Sequence, residues 1–153
     1  MRKLVGRILK IGTLLTTWGL IGTVLIQIIC RFTPIPTPSW TEEASRICFI
    51  YAISFAAGLA MKNDFFVHLD MFYERMPARL QKLLAKTIPM ITFLLFAVMG
   101  IYSIEFILLG LTERSPSMGL NMGLAFLSMF VMSVSIGYYL GLRIIRNFKR
   151  QGR

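Results

Sequence analysis

Residues 11–30 read IGTLLTTWGLIGTVLIQIIC, 20 positions without a charge between Lys10 and Arg31. A helix rises about 1.5 Å per residue, so about 20 apolar residues cross a hydrocarbon layer about 30 Å thick. This run is therefore a membrane span. It is longer than the apolar core of a secretory leader, and no small-x-small cleavage pattern follows it, so it is expected to stay in the protein. Phe32-Thr33-Pro34-Ile35-Pro36 then ends the helix, because proline lacks a backbone donor and disfavours α conformation in the residue before it.

Outward from this stretch the same reading repeats. Charge-free runs cover Ile47–Met61, Thr87–Ile104 and Ser115–Leu142. The run Ile47–Met61 reaches span length if Glu42, Glu43 and Arg46 occupy an interfacial first turn, where charge costs less. The 153 residues are 56% apolar and 16% charged. A soluble domain has about a quarter of its residues charged, and a disordered chain has low hydrophobicity, so both classes are excluded. The expected architecture is an all-α integral membrane protein, one membrane domain over 1–153, with spans near 11–32, 42–61, 84–108 and 117–142.

Lysine and arginine set the expected orientation. The N-terminal tail, the segment after the second span and the C-terminal tail hold 14 of the 17 cations, and the other two connections hold only Arg31, Arg46 and Arg114. Both termini and the middle connection are thus expected in the cytoplasm. The net charge of +10 is mainly a topology signal that also suits anionic lipid headgroups. Three separated basic patches beside membrane helices need no nucleic acid to explain them.

The connection near 62–83 is expected to lie on the cytoplasmic membrane face. Phe65, Leu69, Phe72, Met76, Leu80 and Leu83 recur every three or four residues, beside a stripe of His68, Arg75, Arg79, Lys82 and Lys86. Packing of this segment against the helices is an equal alternative, and Pro77 is expected to break it or start a new helix. The connection after the first span ends in Ser39-Trp40-Thr41-Glu42, a capping-box pattern. Trp40 suits the membrane–water interface, and Glu42 and Glu43 lie within reach of Arg46 on one helix face. The bland reading is a capped helix with a weak exposed ion pair, and the sharper one is a polar cluster that docks another protein.

Lipid gives helices no hydrophobic reason to associate, so small residues mark contact faces. Ala52, Ala56 and Ala60 form such a stripe in the second span. Ser133, Gly137 and Gly141 form one in the fourth, with a further GxxxG at Gly119 and Gly123. Chemistry is sparse. The charge-free runs hold no Asp, Glu, His, Lys or Arg, with Gln27 and Asn121 their more polar members, and Glu105 closes the third run. His68 is the sole histidine, which excludes paired-histidine haem ligation within the chain, and Cys30 with Cys48 cannot make a four-ligand zinc site. No cofactor and no enzymatic activity are expected, and the two cysteines are expected as free thiols.

Several elements together carry a resemblance: Arg31-Phe32 at the end of the first span, Trp40-Thr41-Glu42-Glu43-Ala44-Ser45-Arg46, the aromatic and small second span Phe49–Gly58, then His68-x-Asp70 and Met76-Pro77. In order and spacing this stretch resembles the small, DctQ-like membrane subunit of tripartite ATP-independent periplasmic (TRAP) transporters. The resemblance implies a three-part, ion-gradient-driven importer of organic anions such as carboxylates or sialic acid, with sodium or protons as coupling ion. In it a periplasmic substrate-binding protein delivers solute to a large elevator-type membrane subunit, which the small subunit scaffolds in the bacterial inner membrane. Arg31, Trp40, Glu42, Glu43, Arg46, His68 and Asp70 become candidates for subunit contact or docking. Two other readings stand beside it. A stand-alone multidrug-type exporter calls for a mid-span carboxylate, and the anchor of a redox complex calls for paired haem ligands.

Overall fold

The computed structural model describes residues 2–34, 36–62 and 77–151. They form four helices: α1 Arg2–Phe32, α2 Trp40–Lys62, α3 Ala78–Thr112 and α4 Gly123–Gln151. Each contains a stretch long and apolar enough to cross a membrane: Lys3–Phe32, Trp40–Lys62, Thr87–Thr112 and Gly123–Ile145.

Boundaries differ from the expected spans for local reasons. α1 starts at Arg2 rather than Ile11, because lysine and arginine are good helix formers whose stems can lie along apolar surface. α3 starts directly after Pro77, whose extended backbone (φ −61°, ψ 142°) and carbonyl receive the amides of Leu80 and Gln81 at 2.9 and 3.2 Å. Residues 78–83 are therefore the first turns of α3 and continue into the span. The rest of the expected interfacial segment, 63–76 with His68 and Asp70, lies outside the described residues. The fourth helix starts at Gly123, not 117, because Gly119 takes a left-handed φ of 65° within a turn. The Gly119/Gly123 pair is thus no helical motif.

The helices form two antiparallel hairpins. In the first, α1 lays glycines against α2: Gly6 faces Lys62, Gly12 faces Phe55 and Gly19 faces Cys48. In the second, Gly110 meets Gly123, the Phe106 and Phe126 rings lie 5.8 Å apart, and Gly141 faces Phe93. The hairpins join through α2 and α4, which run parallel, so the main contacts follow the order α1, α2, α4, α3. Leu9, Met61, Ile136, Tyr139 and Leu140 make the buried core, all toward the end that carries the chain termini. The opposite end holds the connections 33–39 and 113–122 and is called the loop end below.

Two glycines are required by close approach. A Cβ at Gly58 would stand 2.7 Å from the Cβ of Ser135, and one at Gly110 would stand 2.6 Å from the backbone nitrogen of Gly123. Between helices the hydroxyls add little, since Thr13, Ser54, Ser103 and Ser133 donate to carbonyls of their own helices at 2.7–2.8 Å. Contact there is van der Waals packing that depends on missing side chains. Ala52, Ala56 and Ala60 are half-buried, and a Cβ at Gly137 would meet nothing within 4 Å.

Gly58→Leu and Gly110→Val should each destabilise the chain by about 1–3 kcal/mol through overpacking, whereas Gly137→Ala should change nothing. Thermal unfolding in detergent is the check, with lowered midpoints expected for the first two alone.

Candidate functional site

The loop end holds several polar contacts that cross between elements. Residues 113–122 fold back on themselves: Arg114 and Asn121 form an antiparallel bridge, Ser115 N–H donates to Leu120 at 2.8 Å, and Met122 N–H donates to Glu113 at 3.0 Å. Gly119 closes the tip, its amide donating to Ser115 at 3.0 Å. Pro116, Gly119 and Asn121 are turn formers, and the last two lie within 117–122, which the apolar reading assigns to helix.

Glu43, in the first turn of α2, accepts a hydrogen bond from the Met118 amide at this tip, 2.7 Å long. A carboxylate on a backbone N–H makes a charge-assisted bond, stronger than a neutral one. Tyr51, about two turns further along α2, donates to the Leu124 carbonyl of α4 at 2.7 Å. Gln27 of α1 reaches Ser45 of α2 at 3.4 Å, and Ser45 donates to the Glu42 carbonyl at 2.8 Å. α2 thus bonds to α1, to the turn and to α4.

Thr41 is fully buried beneath this arrangement, with its hydroxyl and amide both directed to the Pro38 carbonyl at 2.8 and 3.1 Å. The capping box is therefore replaced. Ser39 caps nothing, because the turn before α2 is already closed by Thr41 on Pro38. The Glu42–Arg46 pair is also not formed. Both side chains are exposed, and no ion pair joins Arg46 to Glu42 or Glu43 among the described residues. The physical reason is competition, since Glu43 takes a fixed amide and solvated charges gain little from each other.

Of the candidates read from sequence, Arg31, Trp40, Glu42 and Arg46 remain exposed at the loop end, while Glu43 is half-buried and engaged. Cys30 and Cys48 are half-buried free thiols. The Ser115 hydroxyl is buried without a hydrogen-bond partner among the described residues. No group of three His, Cys, Asp or Glu converges there or elsewhere among the described residues. Sequence reasoning missed Tyr51, Gly58 and Gly110. Tyr51 looked like one more aromatic of an apolar span, and the partner of Gly110 lies in another helix, where no spacing rule reaches it.

Comparison with known proteins adds the family. The family model described as "Tripartite ATP-independent periplasmic transporters, DctQ component" matches residues 20–150. A Haemophilus influenzae protein assigned as a TRAP transporter small permease is 24% identical over 132 residues, which is 85% of this chain and 79% of that one. The isethionate TRAP transporter permease protein DctMQ of Oleidesulfovibrio alaskensis is 28% identical over 116 residues, covering 74% of this chain but 18% of that much longer one.

Glu43→Ala should release the turn, at a local cost of about 1.5–3 kcal/mol, and Tyr51→Phe should cost about 1 kcal/mol. Hydrogen exchange of the 115–120 amides reports both: faster exchange confined to that segment is expected for Glu43→Ala, with a smaller rise for Tyr51→Phe.

Proposed function

This chain belongs to the DctQ family of tripartite ATP-independent periplasmic (TRAP) transporters, and we propose that it works there as the small membrane subunit that braces a large one. In this reading the large subunit moves an organic anion by an elevator step driven by a sodium or proton gradient, and a periplasmic binding protein supplies the solute. Carboxylates and acid sugars such as sialic acid are the substrate class. The chain itself holds neither solute nor ion.

The observation that carries this reading is the DctMQ relative, in which a region similar to this chain is part of a permease several times its length. A chain whose relative is continuous with a larger permease is suited to permanent pairing with one. A physical argument adds support. A transport pathway in lipid needs polar or ionisable groups deep in the spans. Among the described residues the buried polar side chains are Thr41, Ser54, Ser103, Ser115, Ser128, Ser133 and Ser135, all hydroxyls. Most of them bond to backbone carbonyls nearby in sequence.

Orientation follows from the cations. With 14 of 17 lysines and arginines at the terminal end, that end faces the cytoplasm of a bacterial inner-membrane protein and the loop end faces the periplasm. Trp40, Glu42, Arg46 and the 113–122 turn then stand where a periplasmic binding protein arrives, and Arg31 lies beside them. His68 and Asp70 fall in the connection between α2 and α3, and we assign them to contact with the large subunit.

Affinity purification of a tagged chain from membranes of a strain that carries the whole transporter tests the reading. A larger membrane protein is expected to elute in equal molar amount; elution of this chain alone would contradict it.

A further inference from the structure

We propose that the groove between α3 and α4, together with Glu105 one turn beyond its Ile101 on α3, is the face that receives a transmembrane helix of the large subunit, and that this helix presents a basic or hydrogen-bond-donating side chain to the Glu105 carboxylate. The inference rests on the pairing proposed above and adds the face and its chemistry.

Glu105 carries the argument. It lies in the apolar stretch Thr87–Thr112, seven residues before the helix ends, or about 10 Å along the axis. The side chain is exposed and has no ion pair or hydrogen bond among the described residues. The apolar surface does not stop at this depth. Phe106, Leu108, Leu109 and Leu111 follow it and are exposed as well. A carboxylate flanked on both sides by lipid-facing residues is costly unless something covers it. The outward face of α1 gives the contrast: from Ile11 to Ile29 its exposed side chains include no charge, so lipid alone suits it.

A groove of about 330 Å³ lies between α3 and α4, lined by Phe93, Gly100, Ile101 and Ile104 of α3 and by Val134 and Gly137 of α4, and Glu105 follows Ile104 in sequence. Ile101 lies four residues before Glu105, one turn away on the same ridge. The two glycines hold the groove open. A Cβ at Gly137 would meet nothing within 4 Å, and one at Gly100 would lie 3.5 Å from Ser133, an ordinary contact. At Gly110, by contrast, absence of a side chain lets two backbones touch. Gly100 and Gly137 thus make room for something outside the chain.

Charge selects the occupant. An acyl chain fits an apolar groove but offers nothing to a carboxylate. A second copy paired through this face would bring two Glu105 side chains together, and between Thr87 and Leu142 the sole lysine or arginine is Arg114, which lies in the connection rather than at this depth. A helix of a different membrane protein supplies both the ridge and the donor, and the reading above provides one such protein.

The test uses this chain expressed with its large subunit, with a photo-crosslinking residue placed at Ile101 or Val134 in the groove, or at Leu15 or Trp18 on α1. Adducts with the large subunit are expected from the groove positions and not from α1. Glu105→Lys should lower recovery of the large subunit by at least about tenfold and Glu105→Gln by less, as for loss of a desolvated charge pair. The unfolding midpoint of the isolated chain should not move for either variant. If the large subunit binds but groove positions give only dimers of this chain or lipid adducts, the inference fails while the pairing stands. If the unsubstituted chain recovers no large subunit, both fall together.

Discussion

Helices immersed in lipid gain nothing by hiding apolar surface from one another, so this fold depends on how closely its backbones can approach. Gly58 against Ser135 and Gly110 against Gly123 are the places where approach is closest. Gly58 joins the two hairpins, with Leu9 of α1 also in reach, so three helices meet where one side chain is missing. Gly110 closes the second hairpin near its turn. The apolar core at the terminal end, Leu9, Met61, Ile136, Tyr139 and Leu140, can form because Gly58 has already brought α2 and α4 together.

The other end is held differently. Glu43, Tyr51 and Gln27 each bond across elements, and Glu43 fixes a turn 75 residues away in the chain. Where water is close, hydrogen bonds can set position. Deeper in the lipid, hydroxyls turn back onto their own helices and shape alone decides. The result is a flat, largely apolar unit with a hydrogen-bonded polar end and an outward groove, which suits a brace better than a carrier.

Much of this was legible in the sequence. The four spans followed from charge-free runs, because an isolated apolar stretch of span length has few other physical solutions. Pro77 marked a helix start correctly, since its conformation is local. Boundaries at 117–122 were misplaced because Pro116, Gly119 and Asn121 sit inside a run without charge, and hydropathy sees no turn there. Contact partners were less legible. Gly137 and Gly141 form a motif in one helix, yet the tightest approach in the second hairpin pairs Gly110 with Gly123 across two helices. Glu43 read as one of two equivalent carboxylates beside Arg46, and nothing in sequence tells that the Met118 amide lies above it.

The central claim is that this polypeptide supports transport without performing it. Proteoliposomes test that most directly. Uptake of labelled C4-dicarboxylates and sialic acid under a sodium or proton gradient should be absent with this chain alone. It should appear when the large subunit and the periplasmic binding protein are added, and vanish when this chain is left out. Accumulation of a solute by vesicles holding this chain alone, or full uptake without it, would contradict the account.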